Sequence, residues 1–206
     1  MISTATQSAQ SQSSKATFEV VDATDLIAWQ TKSHRQYSKI FSNAAMHWIL
    51  RPEATRVSFF QGAKNCLVPN GMFAFEMGGL GNVCEMRAAL ISAVGRRVGM
   101  ERAKEVDPWF FPDEEWVKDM MERQVGGWKV VKVEREWRPT DADAGGVEGW
   151  IRLMGRQFFG VFGEDEEARE ECIREVVQVL EAVCAKPGGG YTFSYVRLRV
   201  LARKTE

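Results

Sequence analysis

The 206-residue chain has few of the features that mark several protein classes. Its four cysteines, at 66, 84, 172 and 184, form no CxxC pair and have no histidines interleaved at ligand spacing. Neither a zinc site nor a dithiol redox motif is supported, and the four read as buried thiols in a reducing compartment. The formal net charge is only −1, which gives no electrostatic case for binding nucleic acid or an anionic membrane surface. No apolar run approaches the roughly 20 residues of a membrane span, and the opening "MISTATQSAQSQSSKA" has no hydrophobic centre like that of a secretory signal. The expected location is therefore the cytoplasm, with neither nucleic acid nor membrane as partner. No internal repeat is present.

Hydrophobic residues make up 45% of the chain and charged residues 27%, an ordinary globular balance. The length suits one α/β domain over residues 1–206. Residues 1–17, rich in Ser, Gln, Thr and Ala, read as a flexible tail or a short surface helix. "FEVV" (18–21) is a short β-rich run stopped by Asp22, and Thr24 and Asp25 can cap a following helix. "SKIF" (38–41) is a second strand that closes on Ser42 and Asn43. Pro52 then opens a helix in which Val57, Phe60, Ala63 and Leu67 return at helical spacing. A Pro69-Asn70-Gly71 turn precedes an apolar run, 72–77, fit for a central strand.

Met86, Leu90 and Val94 stack on one face of a helix expected over 83–98, and Asp113 is an N-cap candidate for a helix reaching Arg123. "WKVVKVEREW" (128–137) alternates weakly, as an edge strand does, and residues 139–146 are a loop. Two helices follow, the second carrying an i, i+4 stripe of Cys172, Val176, Leu180 and Cys184. "KPGGG" ends it, and "YTFSYVRLRVLARK" is a final long strand. Strands alternate with helices, and polar or glycine residues cluster after each strand. That pattern predicts an open, mostly parallel sheet with helices on both faces and a ligand crevice at the carboxyl ends of its strands.

"FEVVDATDL", "YSKIFSNAAMHWI" and "LVPNGMFAFEM", in this order and spacing, resemble the third, fourth and fifth strands of class I S-adenosylmethionine-dependent methyltransferases. "SNAAMHW", "WFFP", "EGWIR" and "YVRLR" resemble the trans-aconitate methyltransferase-like group within them. The resemblance implies a Rossmann-like methyltransferase three-layer sandwich, with a helical acceptor-side insertion over 139–190. In that family the third strand follows a strand with a glycine-rich loop, a helix and a second strand with an acidic end. No such segment precedes Asp22, so the resemblance implies an N-terminally truncated domain that keeps part of the S-adenosyl-L-methionine site. Phe18 to Val21 are nonetheless expected in the sheet, beside the fourth strand.

By the same resemblance, Asp22 and Ala23 meet the cofactor's adenine, and Ser42 and Asn43 line the cofactor beside its methyl group. His47, Trp48, Trp109 and Trp150 face the acceptor. Arg197, with Arg199 and Arg152, can offer a planar fork to a carboxylate. Each has a plainer reading: Asp22 as a turn residue, Ser42 and Asn43 as helix caps, His47 and Trp48 as packing, the arginines as solvated charges. A carboxylate is already ionised, so no general base is assigned and no metal is called for.

Two function classes follow. One is S-adenosylmethionine-dependent methyl transfer to a small-molecule acceptor, with a carboxylate as the expected group. The other is a non-catalytic remnant that self-associates or binds a partner through a sheet edge left without its neighbour.

Overall fold

The computed structural model describes residues 2–11 and 15–205. The N-terminal residues form helix α1 (Ile2–Ser11), and residues 12–14 lie outside the described part. Phe18 to Val21 are not in the sheet, contrary to expectation: Phe18 is exposed, and Val20 is 82% exposed. The reason is local. The Glu19 carboxylate accepts a hydrogen bond from the Trp29 indole at 3.0 Å and pairs with Arg35 at 3.1 Å, which ties the segment to α2 (Leu26–Ser33).

The sheet has four strands: β1 (Tyr37–Asn43), β2 (Leu67–Gly78), β3 (Trp128–Asp141) and β4 (Thr192–Lys204), in the order β1-β2-β4-β3. Only β1 and β2 run parallel; β4 enters antiparallel between β2 and β3, so the expected mostly parallel sheet is corrected. Side-chain alternation reports which face a residue occupies and is blind to strand direction. β3 continues through Pro139 to Asp141, further than the sequence suggested. An edge strand accepts a proline because one side of its backbone has no ladder to complete.

Between the strands lie α3 (Met46–Ile49), α4 (Arg56–Asn65), α5 (Cys84–Val98), α6 (Met100–Glu105) and α7 (Glu114–Lys118). The Asp113 side chain accepts from the Trp116 amide at 2.9 Å and caps α7. The chain then widens into a π-helical stretch, Asp119–Val125, where one continuous α-helix was expected. Leu67, expected at the end of α4, instead starts β2. Asn70, in the left-handed region at φ 61°, bends β2 where a separate turn was expected.

Two apolar cores result. One face of the sheet packs Phe73, Phe75, Met77, Leu198 and Val200 against Phe59 and Phe60 of α4 and Val117 of α7. Helix α2 closes on α4 at Gly62, where a Cβ would sit 2.6 Å from that of Leu26, so only glycine admits this approach. The second core lies beyond the carboxyl ends of β1 and β2. There α5 packs with α8 (Gly146–Met154), α9 (Arg156–Phe159) and α10 (Glu166–Cys184) around Met86, Leu90, Phe158, Val176 and Leu180. The periodic stripes read from the sequence on α5 and α10 are the buried faces of this helical cap.

The other face of the sheet carries Phe41, Ala74 and Leu201 in register, and Phe41 is 72% exposed. Glu76, Arg199 and Glu136 form an ion-pair chain across it. The described residues thus supply the sheet, one helical layer and the cap. Among the described residues no helix is long and apolar enough to cross a membrane.

Candidate active site

β1 and β2 end side by side under the cap. At that point the Ala44 amide donates to the Glu76 carbonyl, with Ala44 in the left-handed region at φ 53°. Helix α3 starts two residues later and turns His47 inward; the Phe110 amide donates to the His47 carbonyl and fixes the aromatic bend 109–111 above it. Val83 opens α5 at φ 44°, a conformation that β-branched residues rarely adopt, while its side chain is buried. Two such backbones at one place indicate that the surrounding packing holds the chain there.

These elements enclose a cavity of about 110 Å³. The five residues expected at the acceptor, His47, Trp48, Trp109, Trp150 and Arg197, all line it. So do Asn82, Tyr195 and Phe111, which the sequence reading missed. Asn82 sits in "GGLGN", one of the polar, glycine-rich clusters that follow a strand, and Tyr195 is in the final strand next to the arginines.

The hydrogen bonds that surround the cavity fix what each polar group offers to it. The Gly78 amide donates to His47 Nδ1 at 3.3 Å, so the proton of the neutral ring is on Nε2. Burial, and secondarily the Arg197 charge, push the His47 pKa down to about 4, so the ring is neutral near pH 7. The Val196 amide donates to Asn82 Oδ1 at 2.9 Å, which leaves the Nδ2 hydrogens. Trp150 Nε1 donates to the Tyr195 hydroxyl oxygen at 2.7 Å, which leaves the phenolic hydrogen.

Arg197 lies over the Tyr195 ring, 4.7 Å from its centroid. Its Nε is buried without a hydrogen-bond partner, 3.8 Å from a Glu76 oxygen. Indole nitrogens only donate. His47, Asn82, Tyr195 and Arg197 are each left with a donor hydrogen, while the single donor of Trp150 is spent on Tyr195.

The other two arginines do not contribute. Arg199 is held by Glu76 at 2.6 Å and by Glu136. Arg152 donates to Glu148 at 2.8 Å and forks onto Glu170 at 2.9 and 2.7 Å on the outer surface of the cap.

The residues expected at the cofactor are more scattered. The Asp22 carboxylate accepts from the Thr24 amide at 2.9 Å and the Thr24 hydroxyl at 2.7 Å, which caps the turn Ala23–Asp25 and lowers the Asp22 pKa. Ala23 and Ser42 line a separate cavity beneath α2, while Asn43, the next residue along β1, faces the opposite side of the sheet. Asp22 and Asn43, both among the described residues, line neither of these two cavities. Among the described residues no group of His, Cys, Asp and Glu could hold a metal ion.

A four-stranded mixed sheet, helices on one face and a helical cap over the strand ends match the expected Rossmann-like fold. The chain is 30% identical over 171 residues to an uncharacterized methyltransferase of Schizosaccharomyces pombe, covering 82% of this chain. It spans 63% of that relative's length. Among solved structures it matches the YcgJ protein of Bacillus subtilis with a TM-score of 0.57 at 13% identity, over 100% of this chain and 79% of that one. The MccD protein matches with a TM-score of 0.54 at 12% identity, over 99% and 75%. No protein-family model matches the chain.

Proposed function

We propose that this chain forms the acceptor side of an S-adenosylmethionine-dependent methyl-transfer site and that the acceptor is a small carboxylate. One observation carries the reading: four polar side chains lining the cavity, His47, Asn82, Tyr195 and the Arg197 guanidinium, keep free hydrogen-bond donors, and among the described residues no carboxylate lines it to take a proton. An amine or alcohol acceptor needs a group to take its proton. A carboxylate needs none, and it matches the Arg197 fork, the Tyr195 hydroxyl and the Asn82 amide as an acceptor of hydrogen bonds.

The volume, about 110 Å³, is below the roughly 150 Å³ that holds benzene, so only a short acid is enclosed. His47 supplies Nε2–H as a further donor. Trp48, Trp109 and Trp150 keep water from the oxygen that attacks, which strengthens each of these hydrogen bonds. S-adenosylmethionine, when bound, supplies the methyl group as an electrophile.

The test is incubation with methyl-labelled S-adenosylmethionine and a panel of short carboxylic acids, scoring base-labile methyl esters, beside calorimetric titration of the same acids alone. Acids should bind while their amides do not. Replacing Arg197 with Met should weaken acid binding by about 1.5–3 kcal/mol, the range for hydrogen bonds to a charged group. Equal binding of acids and amides would refute the carboxylate reading.

A second reading rests on a different observation. The outer edge of β1 has no strand partner among the described residues, and Phe41 beside it is 72% exposed. Such an edge is a template for self-association or for a partner strand. Concentration-dependent assembly that is lost in Phe41→Lys favours it; a monomer at every concentration refutes it.

A further inference from the structure

A second cavity, of about 240 Å³, lies beneath α2 at the unpaired edge of β1, separate from the one lined by Arg197. Its walls include Leu26 and Trp29 of α2, Tyr37 and Ile40 of β1, Ala63 of α4 and Phe73 of β2. Cavities of about 150 Å³ with apolar walls take up benzene, so this one has room for more than one ring.

Its chemistry is the reverse of the first cavity. The Trp29 indole hydrogen is already taken by Glu19, and Ser42 and Tyr37 bring the side-chain hydroxyls of the wall. The Cys66 thiol is buried there, which pushes its pKa up and keeps it neutral. Among the described residues no charged side chain lines the cavity.

Trp29 and Tyr37 add a shape. Their rings are within 11° of parallel with centroids 6.5 Å apart. That gap is less than the roughly 7 Å a flat ring needs between two faces, so the pair forms one aromatic wall along which a ring packs. The Glu19 hydrogen bond holds the Trp29 ring in place, so this wall exists before any ligand arrives.

We propose that this cavity is a binding site for an uncharged small molecule with one or two fused aromatic rings. The site is independent of the carboxylate chemistry proposed above. A purine fits it poorly, because the ring nitrogens would lose water and find few partners in the wall. An empty apolar cavity of this size weakens the fold, and an aromatic occupant removes that cost.

Indole is the probe, titrated into the full chain by calorimetry and followed by methyl NMR. Saturable binding is expected, with intermolecular contacts from indole to the Ala63 and Ile40 methyl groups. Ala63→Met, which fills the cavity, should weaken binding at least tenfold. Tyr37→Ala should do the same by removing a wall at a position that is 41% exposed. Trp150→Phe, in the other cavity, should leave indole affinity unchanged. Contacts to the Val83 methyl groups, affinity unchanged in Ala63→Met and Tyr37→Ala, displacement by S-adenosylmethionine or adenosine, or exclusion of indole by self-association would each overturn the proposal.

Discussion

Replacing His47 with Asn tests the buried ring at the floor of the first cavity. His47 is 7% exposed, and its pKa falls from the ordinary 6.5 to about 4, chiefly through burial and secondarily through Arg197. The folded-state pKa lies below the unfolded one, so as the pH falls the unfolded chain takes up a proton first. The contribution of the neutral ring is complete above about pH 6.5 and is lost as the pH drops toward 4. The slope for one proton is about 1.4 kcal/mol per pH unit, which gives a loss of about 2 kcal/mol between pH 6.5 and 5.

Asn keeps an oxygen near the position of Nδ1 to accept the Gly78 amide, and it does not titrate. Urea unfolding of both proteins at about pH 7 and about pH 5 should therefore show the wild type losing about 2 kcal/mol more than the variant. Carboxylates titrate alike in both and cancel. Parallel losses would refute the argument, as would an NMR titration of His47 with its midpoint at the ordinary value. Only two histidines are present, so the assignment is direct.

Three further outcomes follow from packing and capping. Phe60 is fully buried against Phe59, Phe75 and Trp116, and Phe60→Ala should cost about 3–5 kcal/mol in urea unfolding. In Gly78→Ala the new Cβ would lie 2.5 Å from a Phe111 ring carbon and 2.7 Å from Asn82 Nδ2, costing about 1–3 kcal/mol and disturbing the near-ultraviolet dichroism of the aromatic cluster. Asp113→Ala removes the cap of α7 and should cost about 1 kcal/mol, most of which Asp113→Ser restores.

Two helices of the cap, α5 and α10, were legible residue by residue, while the segment read as one helix before α10 is broken at Gly155 into α8 and α9. Met86, Leu90 and Val94, and the stripe from Cys172 to Cys184, recur every four residues, and that spacing has one economical use, a buried helix face. The five residues expected at the acceptor were picked out through short phrases with a family likeness, and they line one cavity. Asn82 and Tyr195 were missed because neither has a local signal. Each matters for a partner brought from far along the chain, Val196 for Asn82 and Trp150 for Tyr195. The segment Phe18 to Val21 misled because its β propensity is real, but a strand forms only where a neighbour completes its ladder. The Glu19 tether holds it at α2 instead.

By itself the sequence determined the alternation of strands and helices, the apolar faces they bury, the resemblance to methyltransferases and the residue types around the first cavity. These follow from period, propensity and motif, which are properties of neighbours along the chain. The tertiary structure alone decided that β4 runs antiparallel between β2 and β3 and that Arg197 is left with a free donor while Arg199 and Arg152 are paired. It also decided that His47, Asn82, Tyr195 and Arg197 keep donors toward one cavity and that the space beneath α2 is apolar. Whether a group donates or accepts depends on which of its atoms a distant backbone has already engaged, and residue identity does not carry that information.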